Sequence, residues 1–89
     1  MNIEQFENDW RNMGQLDYLK NEKVAYLKYM AKNPFDHEHC IFCYDTISVH
    51  DNDLHYAYNT QNNRYWICEK CFNDFKDIFN WKIVSEDSC

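Results

Sequence analysis

Two cysteine pairs, Cys40-Ile-Phe-Cys43 and Cys68-Glu-Lys-Cys71, separated by the 24 residues from Tyr44 to Ile67, constrain this chain more than any other feature. Two residues between cysteines let both sulfurs of a tight turn face one ion. Two such turns supply the tetrahedral thiolate set that zinc accepts at about 2.3 Å. The interval is slightly longer than the commonest zinc spacing, which costs little because closure entropy grows only logarithmically with loop length. The reading is a structural Zn²⁺ site with Cys40, Cys43, Cys68 and Cys71 as ligands. Iron–sulfur binding and a redox CxxC are the competing thiolate chemistries. His37 or His39 could also take the place of one cysteine, and Cys89, the fifth thiol, reads as a spare.

The flanking patterns predict an architecture. "TISV" (46–49) and "LHYAYNT" (54–60) read as the strands of a hairpin turned by "HDND", and "RYWIC" (64–68) continues the strand pattern. From Glu69 the period changes: Phe72, Phe75 and Phe79 fall at three- and four-residue steps, an aromatic stripe on a helix ending near Asn80. The second pair then sits at a strand-to-helix junction, where unpaired N–H groups and the positive dipole end favour thiolate. Knuckle, hairpin and a helix carrying the last ligands is the order of a treble-clef zinc finger. The expected fold class is α+β, a small zinc-stabilised treble-clef-like module over residues 34–84.

Upstream, Ile3, Phe6, Trp10 and Met13 follow a helical period closed by Gly14, the one glycine in the chain, and predict an N-terminal amphipathic helix. "KVAYLKYM" (23–30) fits a helix face or a strand, and its β-branched and tyrosine-rich alternation favours a strand pairing with the hairpin. "NPFD" is too short for a linker, so residues 1–33 and 34–84 are read as parts of one domain, 1–89. Six Phe, seven Tyr and three Trp give that domain enough apolar mass for a core.

The stretch from Asp36 to Trp81, carried by "DHEHCIFC", "DLHYAY" and "YWICEKCFNDFKDIFNW", resembles a group of small bacterial proteins with a treble-clef-like CxxC…CxxC module, and "GQLDYL" (14–19) extends the likeness. The resemblance implies a fold and no particular activity.

Three enzyme patterns fail on inspection. His-Asn-His type nucleases that carry two CxxC knuckles place their active residues between the knuckles and accompany them with basic side chains. Here His37 and His39 precede both pairs. Zinc deaminases need H-x-E followed by P-C-x-x-C, and no proline stands directly before either pair. The run His37, Glu38, His39 also lacks the i, i+4 spacing of a zinc-protease helix. Four thiolates would close the metal shell, so the expectation is a chain that is not an enzyme, with His37 and His39 bonding around the ligands.

Charge points to the partner. Residues 34–63 hold five acids and no Lys or Arg, whereas 1–33 and 64–89 are close to balanced, so the formal charge of −6 is concentrated in the middle. Such a surface repels phosphate and disfavours nucleic acid, leaving only Arg64, Lys70 and Lys76 beside tyrosines as a local stacking alternative. The favoured function is a protein-binding module of the inhibitor or immunity type against a basic toxin or nuclease. Its expected contacts are Asp45, Asp51, Asp53, Tyr56 and Tyr58. The start "MNIEQFENDW" shows no signal-peptide pattern, no stretch is apolar enough for a membrane span, and unpaired cysteines suit a reducing cytoplasm.

Overall fold

The computed structural model describes residues 2–61 and 65–84. In chain order it contains two short helices, α1 (Ile3–Glu7) and α2 (Leu16–Leu19), then strands β1 (Lys23–Lys28), β2 (Glu38–His39), β3 (Thr46–Ile47), β4 (Tyr56–Thr60) and β5 (Trp66–Ile67). Helix α3 (Glu69–Phe79) and strand β6 (Lys82–Ile83) follow. β1 is the strand that its alternation favours. It lies in a four-stranded sheet of order β5-β4-β1-β6, antiparallel to β4 with Tyr26 opposite Tyr58 and parallel to β6 with Val24 opposite Ile83. β2 and β3 form a separate antiparallel pair around the first cysteine turn.

Helix α3 buries Cys71, Phe72, Phe75 and Phe79, the stripe its period predicts. Phe72 lies flat on Tyr58 of β4, ring centroids 3.7 Å apart, and Trp81 covers Phe79 at 4.8 Å. Phe6 of α1 meets Phe75 edge-on at 4.8 Å, and Phe42 of the first cysteine turn meets the same ring at 4.9 Å. The N-terminal segment and the cysteine turns therefore share one core. Burying each such ring stabilises the fold by about 1.5–3 kcal/mol. The helix ends on Asn80 in the left-handed conformation (φ 53), where Asn is tolerated. Its side-chain amide donates to Asn21 Oδ1 at 2.9 Å, and the Asn21 N–H donates to the Phe79 carbonyl at 2.7 Å, which clasps the helix end to the turn before β1.

The N-terminal helix is much shorter than its period implies. Asn2 and Gln5 form a capping box at its start, but α1 stops at Glu7, and Trp10 and Met13 are 69% and 60% exposed. The Asp9 carboxylate accepts both the backbone N–H and the guanidinium of Arg11 at 2.8 Å, a local bonding pattern that competes with helical hydrogen bonds. Gly14, at φ 83, then turns the chain into α2, an element the periodicity did not reveal, whose Leu19 is fully buried.

"TISV" and "LHYAYNT" do not pair as one hairpin. β3 pairs with β2, and it meets the later stretch only through a parallel bridge between Ile47 and Leu54. The antiparallel neighbours of β4 are β1 and β5. The reason lies in the turn: buried Ser48 donates its hydroxyl to Asp53 at 2.7 Å and accepts the His50 N–H at 2.9 Å, which folds the segment into an internally bonded loop. The middle of β4 is covered on both faces, Tyr58 by α3 and Ala57 by Tyr29, Ile47 and Trp66.

Candidate metal centre and its surroundings

The four cysteines converge from two turns distant in sequence. Their Sγ atoms all lie within 4.8 Å of one another, with Cys43 and Cys68 at 3.6 Å. Four sulfurs arranged tetrahedrally at about 2.3 Å from one ion stand roughly 3.8 Å apart, so the cluster could close on a metal ion with small adjustments. Cys40, Cys68 and Cys71 are buried and Cys43 is half-buried.

Backbone bonds hold the sulfurs in place. In the first turn the Cys40 N–H donates to the Asp45 carbonyl at 2.9 Å and the Tyr44 N–H to the Cys40 carbonyl at 3.0 Å, with Tyr44 in the left-handed conformation at φ 65. The N–H groups of Phe42 and Cys68 each donate to Cys40 Sγ at 3.4 Å. Cys68 is the N-cap of α3, and its sulfur accepts the Cys71 N–H at 3.4 Å. These donors aim positive dipole ends at the sulfurs and favour their ionised form.

The packed thiols share protons unevenly, as interacting sites do. Hydrogen bonds from Cys68 and Cys71 hold the Cys40 thiol down, at about 2. The bond to Cys40 pushes Cys68 up to about 12, Cys71 is raised by its bonds with Cys40 and Cys68, and burial raises Cys43. A divalent ion binds the thiolates, so any protons the thiols hold must leave when it enters. Metal uptake at neutral pH is expected to release protons, so affinity falls as pH is lowered. Calorimetric titration in buffers of different ionisation enthalpy counts the protons, and uptake without release would contradict this state.

The N-terminal segment brings in a residue that sequence reasoning missed. Arg11, only 6% exposed, donates through Nη1 to Cys71 Sγ at 3.5 Å and to Asp74 at 2.9 Å, and through Nε and Nη2 to Asp9 at 2.8 Å each. Its guanidinium lies over the Phe75 ring, 4.3 Å from the centroid. The hydrogen bond from Arg11 holds the Asp9 carboxyl at about 2. A cation against Cys71 offsets thiolate charge in the buried cluster. Buried Gln15 ties the same segment to the first turn, its amide donating to the carbonyls of Arg11 at 2.9 Å and Ile41 at 3.2 Å. The sequence signal was Asp74, three residues past Cys71 on α3, but its partner lies 63 residues away.

Compared with known families, known proteins and solved structures, the chain shows no match. Nor is any described helix long and apolar enough to cross a membrane.

The other residues singled out by sequence fall in separate places. The rings of His37 and His39 are exposed and meet edge-on at 5.0 Å, and His37 Nδ1 bonds the Phe35 carbonyl at 3.0 Å. The cysteine cluster includes neither. Asp45 and Asp53 line one cleft of 380 Å³ with Thr46, Asn52 and Leu54, and Asp51 is exposed nearby in the chain. Asp53 is half-buried and accepts the Ser48 hydroxyl, so it also holds its loop together. Tyr56 is exposed and stacks on Tyr26 at 5.6 Å, whereas one face of Tyr58 is taken up by Phe72. Neither tyrosine lines the acidic cleft. Arg64 and Cys89 lie outside the described residues.

Proposed function

We propose that this chain is a zinc-stabilised acidic binding module that acts stoichiometrically, as an inhibitor or immunity-type protein, on a basic partner such as a nuclease or toxin. Four cysteines in tetrahedral reach suit Zn²⁺, and a complete, largely buried thiolate set leaves no ligand position for a substrate. That closed set is the observation that carries the reading, because it favours a structural metal over a catalytic one. The first cysteine turn, the β4–β5 pair and α3, capped by Cys68, support the treble-clef-like reading. A reducing, cytoplasmic setting would keep the thiols available to the metal.

Charge supports the choice of partner. Four thiolates around a divalent cation carry a further −2, which takes the formal −6 to about −8. The acids of residues 34–63 flank the first cysteine turn in the sequence, with no Lys or Arg among them.

The test is capture of the partner from the source cell, followed by stoichiometry and kinetics. Reversing Asp45 and Asp51 to Lys moves the charge of residues 34–63 from −5 to −1 and spares Asp53, which holds Ser48. Both positions are exposed, so folding should change by no more than about 0.5 kcal/mol each. A one-to-one complex is expected, and the reversal should slow association by about tenfold at low salt and flatten its salt dependence. An unchanged rate at low salt would refute electrostatic docking, and catalytic turnover would refute a stoichiometric role.

A further inference from the structure

We infer that the cleft beside the first cysteine turn, lined by Glu38, His39, Tyr44, Tyr65 and Trp66, receives an arginine side chain of the partner. This deepens the reading above by naming the chemistry of the partner's anchor. At 250 Å³ the cleft falls below the size range of drug-like ligand sites and matches one long side chain.

Its aromatic walls are braced from outside. Tyr65 leans on Tyr18 at 5.4 Å, Trp66 meets Tyr29 edge-on at 5.7 Å, and the Tyr44 hydroxyl donates to the Met13 sulfur at 3.0 Å. Ring faces attract cations through their quadrupole, and fixed rings lose little freedom on binding. The exposed Glu38 carboxylate lines the same cleft and supplies a counter-charge. A planar guanidinium suits this combination better than an ammonium, because it stacks on rings while offering two parallel N–H groups to a carboxylate.

Tyr44 gives an independent reason. The turn after Cys43 needs a left-handed residue, φ 65 here, which strains a bulky side chain and costs glycine nothing. The Tyr44 ring is 50% exposed, so its burial and its bond to Met13 offset that strain only in part. Strain of this kind is retained where the side chain serves a function.

The test uses the full metal-loaded chain and the peptide acetyl-Gly-Arg-Gly-amide, with citrulline in place of arginine as the neutral isostere. Nuclear magnetic resonance should show saturable shifts of the Tyr44, Tyr65 and Trp66 ring signals with the arginine peptide, about tenfold weaker with citrulline. Tyr44→Gly should weaken arginine binding about tenfold while its melting temperature holds or rises, and Glu38→Gln should weaken binding with the fold intact. No saturable shift, an equal response to citrulline, or undiminished binding by Tyr44→Gly would overturn the inference. The two readings fail separately. A chain that binds the peptide but captures no protein sinks the proposed function and keeps the cleft, whereas a partner held equally well by Tyr44→Gly sinks the cleft and keeps the function.

Discussion

Cys71→Ser, or removal of the metal by a chelator, is expected to unfold the region from residue 36 to 81. Structural zinc supplies an apparent 10–16 kcal/mol or so in small fingers, comparable to the roughly 5–15 kcal/mol that stabilises a whole domain. Cys71 is fully buried in the first turn of α3 and sits in the same core as Phe42, Phe72 and Phe75. Without an ion, the first cysteine turn is tied to α3 by weak N–H···S bonds, by the aromatic contacts and through the Gln15–Arg11 bridge. A chain of 89 residues has little further core to compensate. Elemental analysis should find one zinc ion per chain, and far-ultraviolet circular dichroism should collapse when it is stripped. A chain purified without metal, whose spectrum a chelator leaves unchanged, would rule out the clasp.

Arg11→Ala should produce the next largest loss, about 2 kcal/mol, below the range for a fully buried ion pair because the Arg11–Asp9 pair is only partly buried. The side chains of Arg11 and Asp9 are only 7% and 12% exposed, so the substitution leaves a poorly solvated carboxylate without its cation. The contact with Asp74, whose side chain is 36% exposed, is better screened and should contribute less. Arg11→Lys should rescue little, because a point charge cannot reach Asp9, Asp74 and the Cys71 sulfur together while stacking on Phe75. Urea unfolding of the metal-loaded protein measures the loss, and double-mutant cycles apportion it. Coupling of Arg11 to Asp9 should exceed its coupling to Asp74, and a loss below about 0.5 kcal/mol would show that the buried pair carries no weight.

The α3 helix and the four clustered cysteines were legible because each rests on a pattern that survives any fold. The spacing of Phe72, Phe75 and Phe79 fits only a helical period, and a CxxC turn brings its two sulfurs together by local geometry alone. The N-terminal segment was misread because Ile3, Phe6, Trp10 and Met13 match a helical period by residue type, and the Asp9 to Arg11 bonds that break the helix leave no periodic trace. The β3 pairing was misread for a similar reason. Strand propensity marks which residues extend, but it carries no information about which neighbour they choose, and Ser48 with Asp53 settled that by building a loop where a hairpin turn was expected.

The amino-acid order by itself therefore determined the thiol donor set, the acid-rich middle of the chain and the aromatic face of α3, since spacing, charge count and periodicity are properties of the chain alone. Only the tertiary structure decided that Arg11 and Gln15 reach the cysteine cluster, that Tyr58 is spent on Phe72, and that Tyr44, Tyr65 and Trp66 share a cleft with Glu38. Contacts between residues tens of positions apart depend on how the sheets and α3 pack, and packing is a property of the whole core rather than of any segment.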